Sequence, residues 1–202
     1  MTEVTEALIV IDVQNDFCPG GALAVAGGDE IIPRINALMQ EIPVTVLTQD
    51  WHPEDHSSFA SNHPSAEPFS VIEMPYGPQT LWPAHCVQGN AGAAFHPALT
   101  LDPADMILRK GFRAAIDSYS AFYENDHVTP TGLAGYLRER GVTDLTFTGL
   151  ALDFCVAWSA IDAAKLGFTV RVLEGACRAI DLNGSLEAAR KAMVAAGVTL
   201  AK

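Results

Sequence analysis

The sequence predicts a single-domain α/β fold built on a parallel sheet, and three observations predict it. The run Ala7-Leu8-Ile9-Val10-Ile11-Asp12-Val13 has strand length and almost no polar face, as a strand covered on both sides must. Further short β-rich runs alternate with segments of helical apolar spacing, the pattern of βαβ units. Three of the helical segments stop at a glycine, at Gly141, Gly167 and Gly197.

The first strand ends near Asp12. Asp29 to Gln40 carries helical spacing at Ile31, Ile32, Ile35 and Leu38, with Pro33 in a first turn that tolerates proline. Val44 to Thr48 reads as the second strand and Met106 to Lys110 as the third. Thr131 to Arg140 reads as a helix. Leu145 to Thr148 is the fourth strand, followed by a helix over Phe154 to Leu166. Phe168 to Leu173 is the fifth, Leu186 to Ala196 the last helix, and Val198 to Ala201 a short terminal strand. Right-handed crossovers then place helices on both faces. Trp51 to Pro103 is the exception. It is rich in His, Pro, Gly, Ser and Asn, has no sustained period, and a loop of that length is usually functional. No repeat or linker interrupts the chain, so 1–202 is assigned to one domain.

The 202 residues are 49% hydrophobic, enough for one full core. A net charge of −12 argues against nucleic acid as a partner. No run approaches the ~20 apolar residues of a membrane span. Met1 to Glu6 is acidic and lacks the basic start of a signal peptide, so the expected location is the cytoplasm. Cys18, Cys86, Cys155 and Cys177 are widely spaced with no CxxC pair, which suits a reducing compartment better than a disulfide framework.

In an open α/β sheet, ligands bind beyond the carboxyl ends of the strands. Asp12, Asp50, Lys110 and Cys155 all fall at that rim. Cys155 lies between a strand and a helix, in Gly149-Leu150-Ala151-Leu152-Asp153-Phe154-Cys155-Val156. Helix N–H groups there are expected to lower its thiol pKa. A nearby carboxylate could take the thiol proton, and a lysine could hold that carboxylate charged. Taken singly, each has a plainer reading: a buried small hydrophobe, a turn-forming acid, a solvated charge.

Asp50 and His52, with His85 from the long loop, make a three-ligand set with open positions, suited to Zn²⁺, Fe²⁺ or Mn²⁺. His56 is a further ligand or a support behind the ligands. Alternatively, Asp50, His52 and His56 satisfy loop backbone. His63, His96 and His127 have no such context and read as surface or structural. Phe17, Trp82 and Tyr119 flank the rim and could sandwich a planar ring, or simply pack the loops.

These residues sit in segments that together resemble the nicotinamidases of the isochorismatase-like cysteine hydrolases over essentially the whole chain. The matching segments are Ile11 to Phe17, Pro19 to Leu23, Thr48 to Pro53, Gly77 to Gly89, Lys110-Gly111, Asp117 to Phe122 and the Cys155 segment. The resemblance implies a three-layer α/β/α isochorismatase-like fold with a six-stranded parallel sheet. It implies hydrolysis of nicotinamide to nicotinate and ammonia through a cysteine thioester, in NAD salvage. Asp12, Lys110 and Cys155 become the catalytic triad. Asp50, His52 and His85 become ligands of one divalent metal ion, zinc first and iron or manganese next. Phe17, Leu23, Trp82 and Tyr119 become substrate-binding residues, with the pyridine nitrogen at the metal. The backbone N–H groups of Leu152 and Cys155 are expected to form the oxyanion hole, beside a cis Ala151–Leu152 bond. Leu152 replaces a threonine common in the family. The partner is a small molecule, and the sequence leaves room for a homo-oligomer. Rival readings are an N-carbamoyl-amine or ureidoacrylate amidase of the same superfamily, or a non-catalytic ligand-binding member. The metal set argues against the amidases, and the intact triad against the last.

Overall fold

The computed structural model describes residues 5–202, so Met1 to Val4 of the acidic N-terminal segment lie outside the described residues. Six strands form one parallel sheet: β1 (Thr5–Ile11), β2 (Val44–Asp50), β5 (Met106–Lys110), β6 (Val142–Leu150), β7 (Thr169–Arg178) and β8 (Thr199–Ala201). Their order is β5-β2-β1-β6-β7-β8. β1 and β6 are the two central strands. In β1 every residue from Ala7 to Ile11 is buried, as a strand covered on both faces requires. Among the described residues, no helix is long and apolar enough to cross a membrane.

The helices are α1 (Ile32–Glu41), α2 (Leu133–Glu139), α3 (Ala157–Lys165) and α4 (Ser185–Ala195). α1 begins three residues later than the apolar spacing predicts. Asp29 to Ile31 form a turn, and the first intrahelical bond runs from Ile35 N–H to the Ile31 carbonyl at 3.1 Å. Pro33 sits at the start, where its missing N–H costs nothing. The predicted helix from Phe154 divides in two. Leu152–Val156 is a π-helical turn, and the α-helix proper starts at Ala157.

The long loop also holds a two-stranded antiparallel hairpin, β3 (Val71–Met74) with β4 (Gly77–Thr80), separate from the main sheet. The β4 sequence, Gly-Pro-Gln-Thr, has no apolar alternation, so periodicity could not reveal it. The register β1–β2 and β2–β5 sets the site. Asp50 pairs with Lys110, and Asp12 follows directly on β1, so all three reach one end of the sheet.

Candidate active site

Lys110 is the hub of this rim. Its side chain is fully buried, and its Nζ lies 2.8 Å from Asp12 Oδ2, 2.5 Å from Asp50 Oδ1 and 3.6 Å from Cys155 Sγ. It also donates to the Ser118 carbonyl at 2.9 Å. The acceptor atoms of Asp12, Asp50 and Cys155 lie within 4.8 Å of one another, around the ammonium. Burial opposes charge on Lys110, but Asp12 and Asp50 outweigh it and raise its pKa well above the ordinary value. Thr48 Oγ1 donates to Asp12 Oδ1 at 2.6 Å and accepts from the Asp12 N–H at 3.2 Å, fixing the carboxylate's plane.

Burial pushes Asp12 up to about 6; Lys110 opposes the shift and Asp50 adds to it. At neutral pH Asp12 is therefore a carboxylate of near-matched basicity, the property a general base needs. Cys155 departs from expectation. Burial is the largest effect on its thiol and raises its pKa well above the usual value. Lys110 pulls it down, while Asp12, Asp50 and Asp117 push it further up. The predicted helix-terminus effect loses because Cys155 lies inside the π turn, two residues before α3, and is 7% exposed. The resting group is the thiol.

The turn differs in a second respect. The cis bond is Leu150–Ala151, not Ala151–Leu152. The Ala151 carbonyl heads the turn, accepting from Phe154 N–H and Val156 N–H at 3.1 Å each. Ala151, Phe154 and Cys155 line the cleft, and the Leu152 side chain is buried away from it.

Asp50, His52 and His85 come together as the sequence reading required, their ligand atoms within 4.8 Å of one another. His52 donates from Nδ1 to the Gly111 carbonyl at 2.7 Å, and His85 from Nδ1 to the Pro83 carbonyl at 2.8 Å. Both rings thereby keep the Nε2 lone pair for a metal. His52 Nε2 lies 3.5 Å from Asp50 Oδ2, the oxygen that Lys110 leaves free. Burial and neighbouring His52 lower His85 to about 4, so it is neutral at pH 7. Burial would raise Asp50, but Lys110, His52 and His85 hold it well below the usual carboxylate range. One carboxylate and two imidazoles with their outer nitrogens anchored fit a divalent ion.

His56 is not part of that set. Its Nδ1 accepts from Ser58 N–H, with Ser58 Oγ also 2.7 Å away, and its Nε2 lies 3.2 Å from the Ile116 carbonyl. Both nitrogens are engaged, and the ring supports His52 at a centroid distance of 4.3 Å. Gly111 makes room for His52. Its φ is +65°, and a Cβ there would lie 2.4 Å from His52 Cε1. His63 donates to the Ser57 carbonyl, His96 Nδ1 accepts from Ala98 N–H, and His127 stacks on Trp158, all structural.

Beside Cys155 lies a small cleft lined by Phe17, Leu23, Trp82 and Tyr119 together with Asp50, His85, Asp117, Phe154, Cys155 and Ile180. Trp82 meets Phe154 edge-on at 5.0 Å, and Phe17 faces His85 at 5.4 Å. Several contributors escaped the sequence reading. Gln14 clamps the Asp50 backbone, its Oε1 accepting Asp50 N–H and its Nε2 donating to the Asp50 carbonyl, each at 2.8 Å. Thr48, Asp117, Phe154 and Ile180 were missed as well. Gln14 and Thr48 show only as polar residues just after or inside a strand, Asp117, Phe154 and Ile180 carry no local signal, and the contacts that join these residues to the site come mostly from distant stretches of chain.

The isochorismatase domain model matches residues 6–202. A nicotinamidase of Acinetobacter baylyi is 60% identical over 95% of this chain and 90% of its own length. A solved nicotinamidase/pyrazinamidase structure from Acinetobacter baumanii superposes with a TM-score of 0.97 at 56% identity, covering 100% of this chain and 98% of that one. The pyrazinamidase of Pyrococcus horikoshii, solved in complex with zinc, aligns with a TM-score of 0.78 at 35% identity over 98% of both chains.

Proposed function

The chain belongs to the isochorismatase family, and from that premise we infer that it is a nicotinamidase, which hydrolyses nicotinamide to nicotinate and ammonia through a cysteine thioester in NAD salvage. One observation supports this reading above the rest. A single cleft is lined at once by the Cys155 thiol, by Asp50 and His85 of the metal-donor set, and by flat aromatic walls.

In the proposed reaction Asp12 takes the Cys155 proton as sulfur attacks the carboxamide carbon. Because burial favours the protonated thiol, the proton has to reach Asp12 before or during attack. The C–S bond forms, and the carbonyl electron pair moves onto oxygen. Backbone N–H groups of Ala151 and Cys155 hold that oxyanion. Ala151 replaces the Leu152 of the sequence reading, since it is Ala151 that borders the cleft beside the thiol. One such donor is worth about 3–4 kcal/mol of transition-state stabilisation. Asp12 returns its proton to the departing nitrogen, the C–N bond breaks, and ammonia leaves a thioester. Asp12 then deprotonates the incoming water, which releases nicotinate, and the proton passes back to sulfur. Lys110 favours the ionised form of Asp12 before attack and holds the carboxyl group beside sulfur.

Asp50, His52 and His85 would hold a divalent ion, and zinc is the ion we assign, since a pyrococcal relative was solved in complex with zinc. When bound it supplies a Lewis-acid anchor for a ring nitrogen. Phe17, Leu23, Trp82 and Tyr119 grip the ring. Four free cysteines among the described residues support a reducing, cytoplasmic location.

The direct test is ammonia release from nicotinamide by the metal-loaded protein and by Cys155→Ala. The wild type should turn over. The variant should lose at least about 10³-fold in kcat while binding nicotinamide with little change in Kd. Turnover by Cys155→Ala at the wild-type rate would overturn the reading.

A further inference from the structure

Gln79 lies in β4, outside the main sheet, and is 1% exposed. Its Nε2 is 2.7 Å from the Thr80 carbonyl, 2.9 Å from Asp117 Oδ2 and 3.0 Å from Tyr119 Oη. Its Oε1 accepts from Tyr76 Oη and from Asn125 Nδ2, each at 3.2 Å. Asn125 extends the network: its Oδ1 accepts the Tyr119 N–H at 2.9 Å, and its own N–H donates to the Asp117 carbonyl at 2.8 Å. Trp82 Nε1 donates to the same Tyr119 oxygen at 3.1 Å.

Asp117 and Tyr119 of the cleft wall thus meet one amide, and Trp82 is joined to it through the Tyr119 oxygen. Asp117 and Tyr119 come from the segment after β5, Trp82 from the chain just past β4, and Gln79 ties them together. A carboxamide can donate to a carboxylate and a phenol oxygen while accepting from a hydroxyl and an amide. A carboxylate would face Asp117 with like charge, and an aliphatic group would leave these buried partners unpaired.

We propose that Gln79 is a positioning residue for the ring slot, holding Tyr119 and Asp117 at the spacing that admits a flat pyridine carboxamide and excludes a bulkier ring. It touches none of the reacting atoms, so it governs how the ring is held rather than how the bond is cut. This inference rests on the nicotinamide reading.

The test uses the metal-loaded enzyme, its Gln79→Leu variant, and both nicotinamide and 5-methylnicotinamide as substrates. Metal content and melting temperature are recorded alongside. Gln79→Leu should raise KM for nicotinamide by about tenfold, the equivalent of one buried hydrogen bond, and narrow the preference for nicotinamide over its methylated analogue. Its kcat should stay within about threefold, as expected for lost ground-state and transition-state binding alike. An unchanged KM and preference overturns the proposal, and so does a fall in kcat with KM unmoved. If the leucine variant does not fold, Gln79→Glu, of nearly the same shape, is judged on the same readouts. A wild type inactive on nicotinamide refutes the functional reading itself. An active wild type with indifferent Gln79 variants refutes only the role of Gln79.

Discussion

Lys110 Nζ and Asp12 Oδ2 stand 2.8 Å apart with both side chains fully buried, and the same ammonium reaches Asp50 at 2.5 Å. One lysine therefore holds together the proposed proton acceptor and a proposed metal ligand.

Lys110→Met should leave two buried carboxylates without a counter-charge. Removing one partner of a buried pair costs about 3–5 kcal/mol. Denaturant unfolding should show a loss of that size, and ammonia release should fall to background. A variant with the wild-type unfolding midpoint would show that the pair contributes nothing to stability.

Asp12, raised to about 6 by burial, must be ionised to accept the thiol proton. Activity therefore belongs to the basic form and is lost as pH falls through that value. A plot of kcat/KM against pH should climb tenfold per unit below about 6 and level off above it. Asp12→Asn should abolish activity at every pH. A profile already flat at pH 5 would show that burial does not raise Asp12 to about 6, and Asp12→Asn with wild-type activity would exclude it as the base.

The two imidazoles near His52 should behave differently. His85→Ala removes a free Nε2 and should release the ion, whereas His56→Ala removes a ring whose nitrogens serve Ser58 and the Ile116 carbonyl. Metal analysis after dialysis should find the His85 variant depleted and the His56 variant still loaded. Chelation of the wild type should suppress turnover while its circular dichroism stays folded. Equal metal loss in both variants would place His56 among the ligands.

Gly111→Ala should displace His52. An alanine at φ +65° costs about 1 kcal/mol in backbone terms, and its Cβ would fall 2.4 Å from His52 Cε1. The expected result is a stably folded protein whose zinc affinity drops by about tenfold or more, measured by competition with a chromogenic chelator. Undiminished affinity would show that the His52 ring can shift without harm.

Much of the site is legible because strand ends announce themselves locally. The apolar run before Asp12, the strand before Asp50 and the strand ending at Lys110 each predict their own position, and a parallel sheet delivers all three to one rim. Gln79 and Gln14 are silent in sequence because their value lies in partners far along the chain. Gln14 reaches Asp50 and Ala93, and Gln79 reaches Asp117, Tyr119 and Asn125. The β3–β4 hairpin that carries Gln79 has no hydrophobic period to betray it.

Local patterns were enough to read the alternation of strands and helices and the gathering of Asp12, Asp50, Lys110 and Cys155 at one rim, and they offered Asp50, His52 and His85 as candidate metal ligands. These follow from patterns of two, three or four residues and from the topology such patterns impose. Only the packed molecule shows that burial raises the Cys155 thiol's pKa, that both His56 nitrogens have hydrogen-bond partners, that Ala151 rather than Leu152 borders the cleft, and that Gln79 bonds Asp117 and Tyr119. The physical reason is common to all four. Desolvation and hydrogen-bond saturation depend on everything packed around a group, and in this molecule those neighbours lie mostly in distant stretches of the chain.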